Sequence, residues 1–205
     1  MSAETLFYFS LTVLPLVFTP GPDIMLLIAK ALSRGRNAAL LANLGILLGY
    51  CVQGVLAALG IAAVVAATPW LFETMRWLGV AYLSWLALSM LRSAMKPGPQ
   101  FEAPHSNHGL VSQGFLTAFL NPKGLLMFFA ILPQFMDAGG NVAIQALSLS
   151  AMFVFLCGTV YSCVLLLAAR VAETGTFTAT KRRAVDAAGG TLLGFAAIKL
   201  AVSAR

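Results

Sequence analysis

Apolar positions run along this chain in long stretches without the alternation of a β-strand. Six such stretches cover residues 5–32, 38–67, 70–91, 112–136, 142–169 and 187–204. Each approaches or exceeds the roughly 20 apolar residues that an α-helix needs to cross a bilayer core. A membrane barrel would show segments of about ten residues alternating in polarity, whereas these are continuous and rich in Leu, Ala and Gly. The pattern predicts an all-α membrane protein of six transmembrane helices. They use almost the whole chain, so a single transmembrane domain over residues 1–205 is expected, with no soluble domain beside it.

Two of the six stretches are broken. Thr19-Pro20-Gly21-Pro22-Asp23 interrupts the first and Asn121-Pro122-Lys123-Gly124 the fourth. Each break sets proline, glycine and one full charge where lipid is expected, and the charges are opposite. Intramembrane charge usually marks function, and matching breaks in two halves of a chain point to a secondary transporter's binding site. Further matches support two halves. Pro22 to Leu26 aligns with Pro122 to Leu126, and the second and fifth stretches begin shortly after Asn37 and Asn141. Residues 79–94 align with 189–204 at Gly79/Gly189, Leu83/Leu193, Ala87/Ala197, Ser93/Ser203 and Ala94/Ala204. Three spans per unit put the second unit's start on the opposite membrane face. The expected architecture is therefore two inverted three-helix repeats, about 1–95 and 112–205, with helices 1 and 4 broken. A Pro-rich linker over about 96–111 joins them.

Composition sharpens this. Of 205 residues, 60% are hydrophobic and 10% charged, and mean hydropathy is +0.88, against about 25% charge in soluble domains. The net charge of +6 is unevenly placed. Lys30, Arg34, Arg36, Arg92, Lys96, Arg170, Lys181, Arg182 and Arg183 fall at the connections after the first, third and fifth stretches, against Arg76, Lys199 and Arg205 on the other side. The positive-inside rule makes the richer side cytoplasmic and both termini extracytoplasmic. The charge is thus read as orientation and contact with anionic lipid rather than nucleic-acid binding. The first stretch lacks a basic leader and an A-x-A site, so it is expected to stay rather than be cleaved.

The two charges lie at similar depth. Asp23 is roughly 9–13 residues and Lys123 about 11 from the cytoplasmic ends of their helices, at about 1.5 Å per residue, so an Asp23–Lys123 ion pair is sterically reasonable. Each charge alone costs about 2.5–3.5 kcal/mol at a helix centre; pairing, hydration or protonation would offset it. The prolines complete the site, because each removes an amide donor and frees a carbonyl one turn back. Unwound carbonyls suit an ammonium, and the amides at the start of the next half-helix suit a carboxylate. A zwitterionic amino acid finds both complements. The candidate substrate-binding and proton-coupling residues are Thr19, Gly21, Pro22, Asp23, Asn43, Asn121, Pro122 and Lys123, with Tyr50, Gln53, Thr159 and Tyr161 as cavity lining. Helix–helix hydrogen bonding is the other reading of those last polar groups and of Asn43, and a permanent structural pair the other reading of the two charges.

Other groups carry less. Cys51, Cys157 and Cys163 form no C-x-x-C and read as buried thiols. His105 and His108 lack a third ligand, so no metal site or cofactor is expected. Gly45 with Gly49, and Gly190 with Gly194, stand four apart; such spacing serves close helix packing, within the chain or across a homodimer.

At these residues the chain resembles the lysine-exporter (LysE/RhtB) superfamily of bacterial amino-acid exporters. The resemblance rests on Pro20-Gly21-Pro22-Asp23, on Ser33-Arg34-Gly35-Arg36, on Ala42 to Gly49, and on Asn121-Pro122-Lys123 followed by Leu132-Pro133-Gln134-Phe135. It implies a small inner-membrane protein of about six helices that exports amino acids, driven by the proton gradient. The Gly21-Pro22-Asp23 form is similar to the homoserine/threonine and neutral amino-acid branch, which implies a neutral substrate such as threonine, homoserine or leucine. Export of a basic amino acid, a metal ion or another metabolite, and a channel, are the alternatives. An enzyme would need intramembrane His, a Ser–His pair or a carboxylate dyad, and the stretches carry none.

Overall fold

The computed structural model describes residues 1–60, 69–95, 109–137, 140–173 and 179–202. The described residues form eight α-helices and no strand. These are α1 (Ala3–Phe18), α2 (Pro22–Arg34), α3 (Arg36–Ala58), α4 (Pro69–Met95), α5 (Leu110–Phe119), α6 (Pro122–Leu126), α7 (Val142–Glu173) and α8 (Ala179–Val202). After α6 the chain continues as a π turn, Met127–Ile131, and a 3-10 turn, Leu132–Phe135. Most of the expected linker, with His105 and His108, and the end of the second apolar stretch lie outside the described residues.

Both expected breaks have a local cause. α1 begins on Ser2, whose hydroxyl accepts the Thr5 amide at 3.1 Å. It stops at Phe18 because neither Pro20 nor Pro22 has an amide hydrogen to continue the ladder. Thr19 turns its hydroxyl back onto the Pro15 carbonyl at 2.7 Å. Pro22 then takes the first position of α2, where its fixed φ suits a helix and no donor is required. The axes of α1 and α2 differ by 55°. The second break repeats the device: α5 ends at Phe119, Asn121 caps, and Pro122 opens α6. Gly35 makes the turn between α2 and α3 at φ 83°, a left-handed conformation in which a Cβ would be strained. At the other end of the chain α8 starts at Ala179 rather than 187. Hydropathy places the boundary after Lys181, Arg182 and Arg183, but Ala, Lys and Arg are good helix formers and extend the helix through them.

Polarity is arranged inside out. Leu40, Leu44, Leu48, Val52 and Val55 form an exposed apolar stripe along α3, while Asn43, Tyr50 and Gln53 of the same helix are buried. Ile144, Phe155 and Leu167 of α7, and Phe195, Ile198 and Val202 of α8, are likewise exposed. Soluble monomers rarely show apolar surface on this scale. α3, α7 and the bent α1–α2 pair are each long and apolar enough to cross a membrane.

Around the centre, α3 packs on α2, α5 and α7, and α4 packs along α8. Glycine sets the closest crossing. A Cβ on Gly45 would lie 2.0 Å from the Val111 carbonyl oxygen, and one on Gly114 would lie 2.0 Å from that of Ala42. Gly49 faces Phe115 and Ala118, and Gly190 faces Ala87 and Leu91. These glycines are therefore consumed by packing within the chain, which leaves a homodimer no support from them. Arg36 at the start of α3 and Arg170 near the end of α7 line one surface cleft with Glu173. The basic connections after the first and fifth apolar stretches thus share one end of the molecule.

Candidate functional site

Asp23 stands in the first turn of α2 and is 1% exposed. Its position follows from the break: Pro22 fixes the helix start, and the next residue is turned inward against α3, α6 and α7. Three donors converge on Oδ2. The Tyr50 hydroxyl of α3 donates to it, the Asn121 amide donates at 2.9 Å, and the Tyr161 hydroxyl of α7 donates at 3.2 Å. Oδ1 is buried and has no hydrogen-bond partner. Aromatic rings close the surroundings. The Tyr50 ring meets Phe153 edge to face at 5.1 Å and lies 6.4 Å from Phe128, whose ring is 5.8 Å from Phe153. Such a shell keeps out water and strengthens each polar contact within it.

Lys123 is held differently. Its stem passes Gly21, where a Cβ would lie 3.7 Å from the lysine Cδ. Its ammonium donates to the Thr19 carbonyl at 3.0 Å and the Val17 carbonyl at 3.3 Å, with the Tyr161 ring centroid 6.0 Å away. In an unbroken helix those carbonyls would take the amides of residues 21 and 23; the bend leaves them open and the lysine fills them. The direct Asp23–Lys123 ion pair that their depth allows is not made. The two charges are neighbours, but each has its own partners. Depth along a helix does not fix rotation about it, and the freed carbonyls outbid the carboxylate for position.

Asn121 joins the two breaks. Its Oδ1 accepts the Lys123 amide at 3.0 Å, which caps α6, while its Nδ2 reaches Asp23. The amide of Gln53 donates to the Phe119 carbonyl at 2.9 Å, a second acceptor released by the second break. Two side chains of the second break therefore bridge to the first: Lys123 to the end of α1, and Asn121 to the start of α2.

The remaining candidates separate. Pro22 is buried at the first position of α2, and Pro122 opens α6. Thr19 contributes its carbonyl, its exposed hydroxyl being turned back along α1. Asn43 lies about two turns from Tyr50 along α3 and donates to Ser162 at 3.3 Å. Thr159 is exposed, with its hydroxyl on the Phe155 carbonyl, and does not line the site. Sequence reasoning missed the carbonyls of Val17 and Phe119 and the rings of Phe128 and Phe153. For the carbonyls the signal was present, since each lies a few residues before a proline. Of the three cysteines only Cys157 is buried; Cys51 and Cys163 are exposed on faces that lipid would cover. Among the described residues no cluster of His, Cys, Asp and Glu is suited to a metal ion.

Comparison with known proteins agrees with this architecture. The sequence model of the LysE type translocator family matches residues 14–204. An uncharacterised membrane protein of Pseudomonas aeruginosa, PA4757, is 36% identical over 129 residues, 60% of each chain. The threonine efflux protein of Escherichia coli K12 is 33% identical over 136 residues, 63% of this chain and 65% of that one. A leucine efflux protein of Enterobacter is 29% identical over 128 residues, 62% of this chain and 61% of that one. These alignments thus span less than two thirds of the relatives' own length. No solved structure matches. Taken with the apolar exterior and the broken helices, the match assigns this multi-pass membrane protein to the LysE type translocator family, whose members are transporters and not enzymes.

Proposed function

We propose that this protein exports neutral amino acids from the cytoplasm in exchange for protons. The observation that carries the reading is the buried Asp23 carboxylate, with one oxygen held by three donors and the other without a partner, beside an ammonium resting on main-chain carbonyls. A zwitterion fits this arrangement. Its ammonium takes Asp23 Oδ1, and its carboxylate draws Lys123 from the Val17 and Thr19 carbonyls. A proton and the substrate ammonium compete for the same carboxylate, so the site carries one or the other, and that exclusion is the basis of antiport. The names of the threonine and leucine efflux relatives support a neutral cargo.

In this reading the chain sits in the inner membrane as six spans in two inverted three-helix repeats. The basic end bearing Arg36 and Arg170 faces the cytoplasm, and both termini face outward. The test is uptake of labelled threonine, homoserine and leucine into proteoliposomes, with an imposed pH gradient switched on and off. Gradient-dependent movement is expected in the parent protein and its loss in Asp23→Asn, with insertion unchanged. Full gradient-driven transport by Asp23→Asn would remove Asp23 from the coupling role.

A further inference from the structure

The site holds a second acceptor that the reading above does not use. Gln53 is 5% exposed. Its amide nitrogen is committed to the Phe119 carbonyl, which can only accept, so the orientation of the carboxamide is fixed. Its Oε1 is consequently an acceptor, and it is buried without a donor. Its place is known from Gly124. A Cβ there would lie 2.8 Å from Gln53 Oε1 and 2.7 Å from Tyr50 Cε1, the ring carbon next to the one bearing the hydroxyl. α6 thus packs its backbone directly against both groups and supplies no side-chain donor there. Asp23 is bound to the hydroxyl of the same ring, and its Oδ1 also lacks a donor. Two donor-seeking oxygens thus flank Tyr50. The third such oxygen, Asn43 Oδ1, differs: its amide faces a serine hydroxyl that satisfies either orientation, so it imposes no requirement.

We infer that Gln53 selects among neutral amino acids for those whose side chain carries a hydrogen-bond donor, a hydroxyl above all. This rests on the export reading, in which Asp23 takes the α-ammonium. The carboxylate claims the cation by charge, which leaves Gln53 Oε1 for a neutral donor on the substrate's side chain. A hydroxyl satisfies it. An aliphatic side chain of the same shape buries it unsatisfied, and sites built around a substrate hydroxyl discriminate strongly on that ground.

Threonine and valine are near-isosteric and differ in this one group. The experiment measures kcat/KM for both in proteoliposomes at a fixed pH gradient, with the parent protein and with Gln53→Met. The parent should favour threonine by at least about tenfold, and Gln53→Met should bring the ratio to about one. Loss of the Phe119 contact alone would slow both substrates equally and leave the ratio intact. O-methylthreonine, which keeps the shape but has no side-chain donor, tests the parent protein without any variant and should behave like valine. An unchanged ratio in Gln53→Met, or threonine and O-methylthreonine moving equally well, refutes the role of Gln53 while leaving export standing. Movement of neither threonine nor valine by folded, oriented protein refutes the export reading and this inference together.

Discussion

Asn121 is the residue on which the two breaks most directly depend, and its two contacts can be separated. Asn121→Ala removes the cap on the Lys123 amide and the bond to Asp23. Asn121→Ser keeps an N-cap oxygen but is too short to bridge to the carboxylate. A lost cap costs about 1 kcal/mol. A bond to an ionised acceptor is worth about 1.5–3 kcal/mol in water-soluble proteins, while polar pairs between membrane helices average about 0.6 and reach about 1.7. Asp23 keeps the Tyr50 and Tyr161 hydroxyls after the change, so its charge is not stranded. The lower range therefore applies, at about 0.6–1.7 kcal/mol. Asn121→Ser should then lose about 0.6–1.7 kcal/mol and Asn121→Ala about 1.6–2.7. Equilibrium unfolding in a fixed detergent or nanodisc, read by tryptophan fluorescence and by a second probe, gives both numbers. A double-mutant cycle with Asp23→Asn should return a coupling of about 1 kcal/mol between positions 23 and 121. Equal losses for Ser and Ala would show that the cap contributes nothing. A coupling near zero would refute the bridge itself.

Two more outcomes follow from the geometry. Gly45→Ala drives a Cβ to 2.0 Å from a main-chain oxygen of α5 and should abolish folded protein in a size-exclusion assay, whereas Gly158→Ala meets only the ends of Leu47 at 3.5 Å and should elute as the parent does. Lys123→Met keeps the stem against Gly21 but leaves the Val17 and Thr19 carbonyls without a donor. Transport should fall at least tenfold while membrane insertion, read by protease accessibility, is unaffected; undiminished transport would dismiss the lysine from the carboxylate role.

The breaks were legible in the sequence because proline and charge inside an apolar run have few explanations. Asp23, Asn121 and Lys123 were drawn from that reasoning, Tyr50 and Tyr161 only from being polar groups on apolar helices, and the fold brings the five together. What could not be read was rotation. Thr159 and Tyr161 are two residues apart on α7, about 200° around the axis, and only the tyrosine faces the carboxylate. On a helix apolar nearly all round, hydropathy does not say which face is inward. The partner of Lys123 was hidden for a different reason. Main-chain carbonyls carry no residue signature, so a lysine that satisfies two of them looks, in sequence, like a lysine waiting for an acid. The early start of α8 was missed because hydropathy measures what lipid tolerates and not what the backbone prefers.

The two bridges from the second break to the first bear on how a transporter of this design moves. A charge buried near its own helix break could be satisfied locally, and the two halves would then be mechanically independent. Here Lys123 follows α6 but holds the end of α1, and Asn121 caps α6 but holds the start of α2. Neither break can shift by an ångström or two without loosening a bridge to the other. On the proposed reading the cargo acts on both bridges at once. Its carboxylate competes with carbonyls for Lys123, a contest that a full negative charge wins over two dipoles in a dry site. Its ammonium, or a proton, changes the charge that Asn121 and the two tyrosines hold. A proton alone reaches only the second bridge. The substrate-loaded and proton-loaded states therefore differ in whether Lys123 still clasps α1, and that difference is what allows the two cargoes to favour opposite orientations of one site.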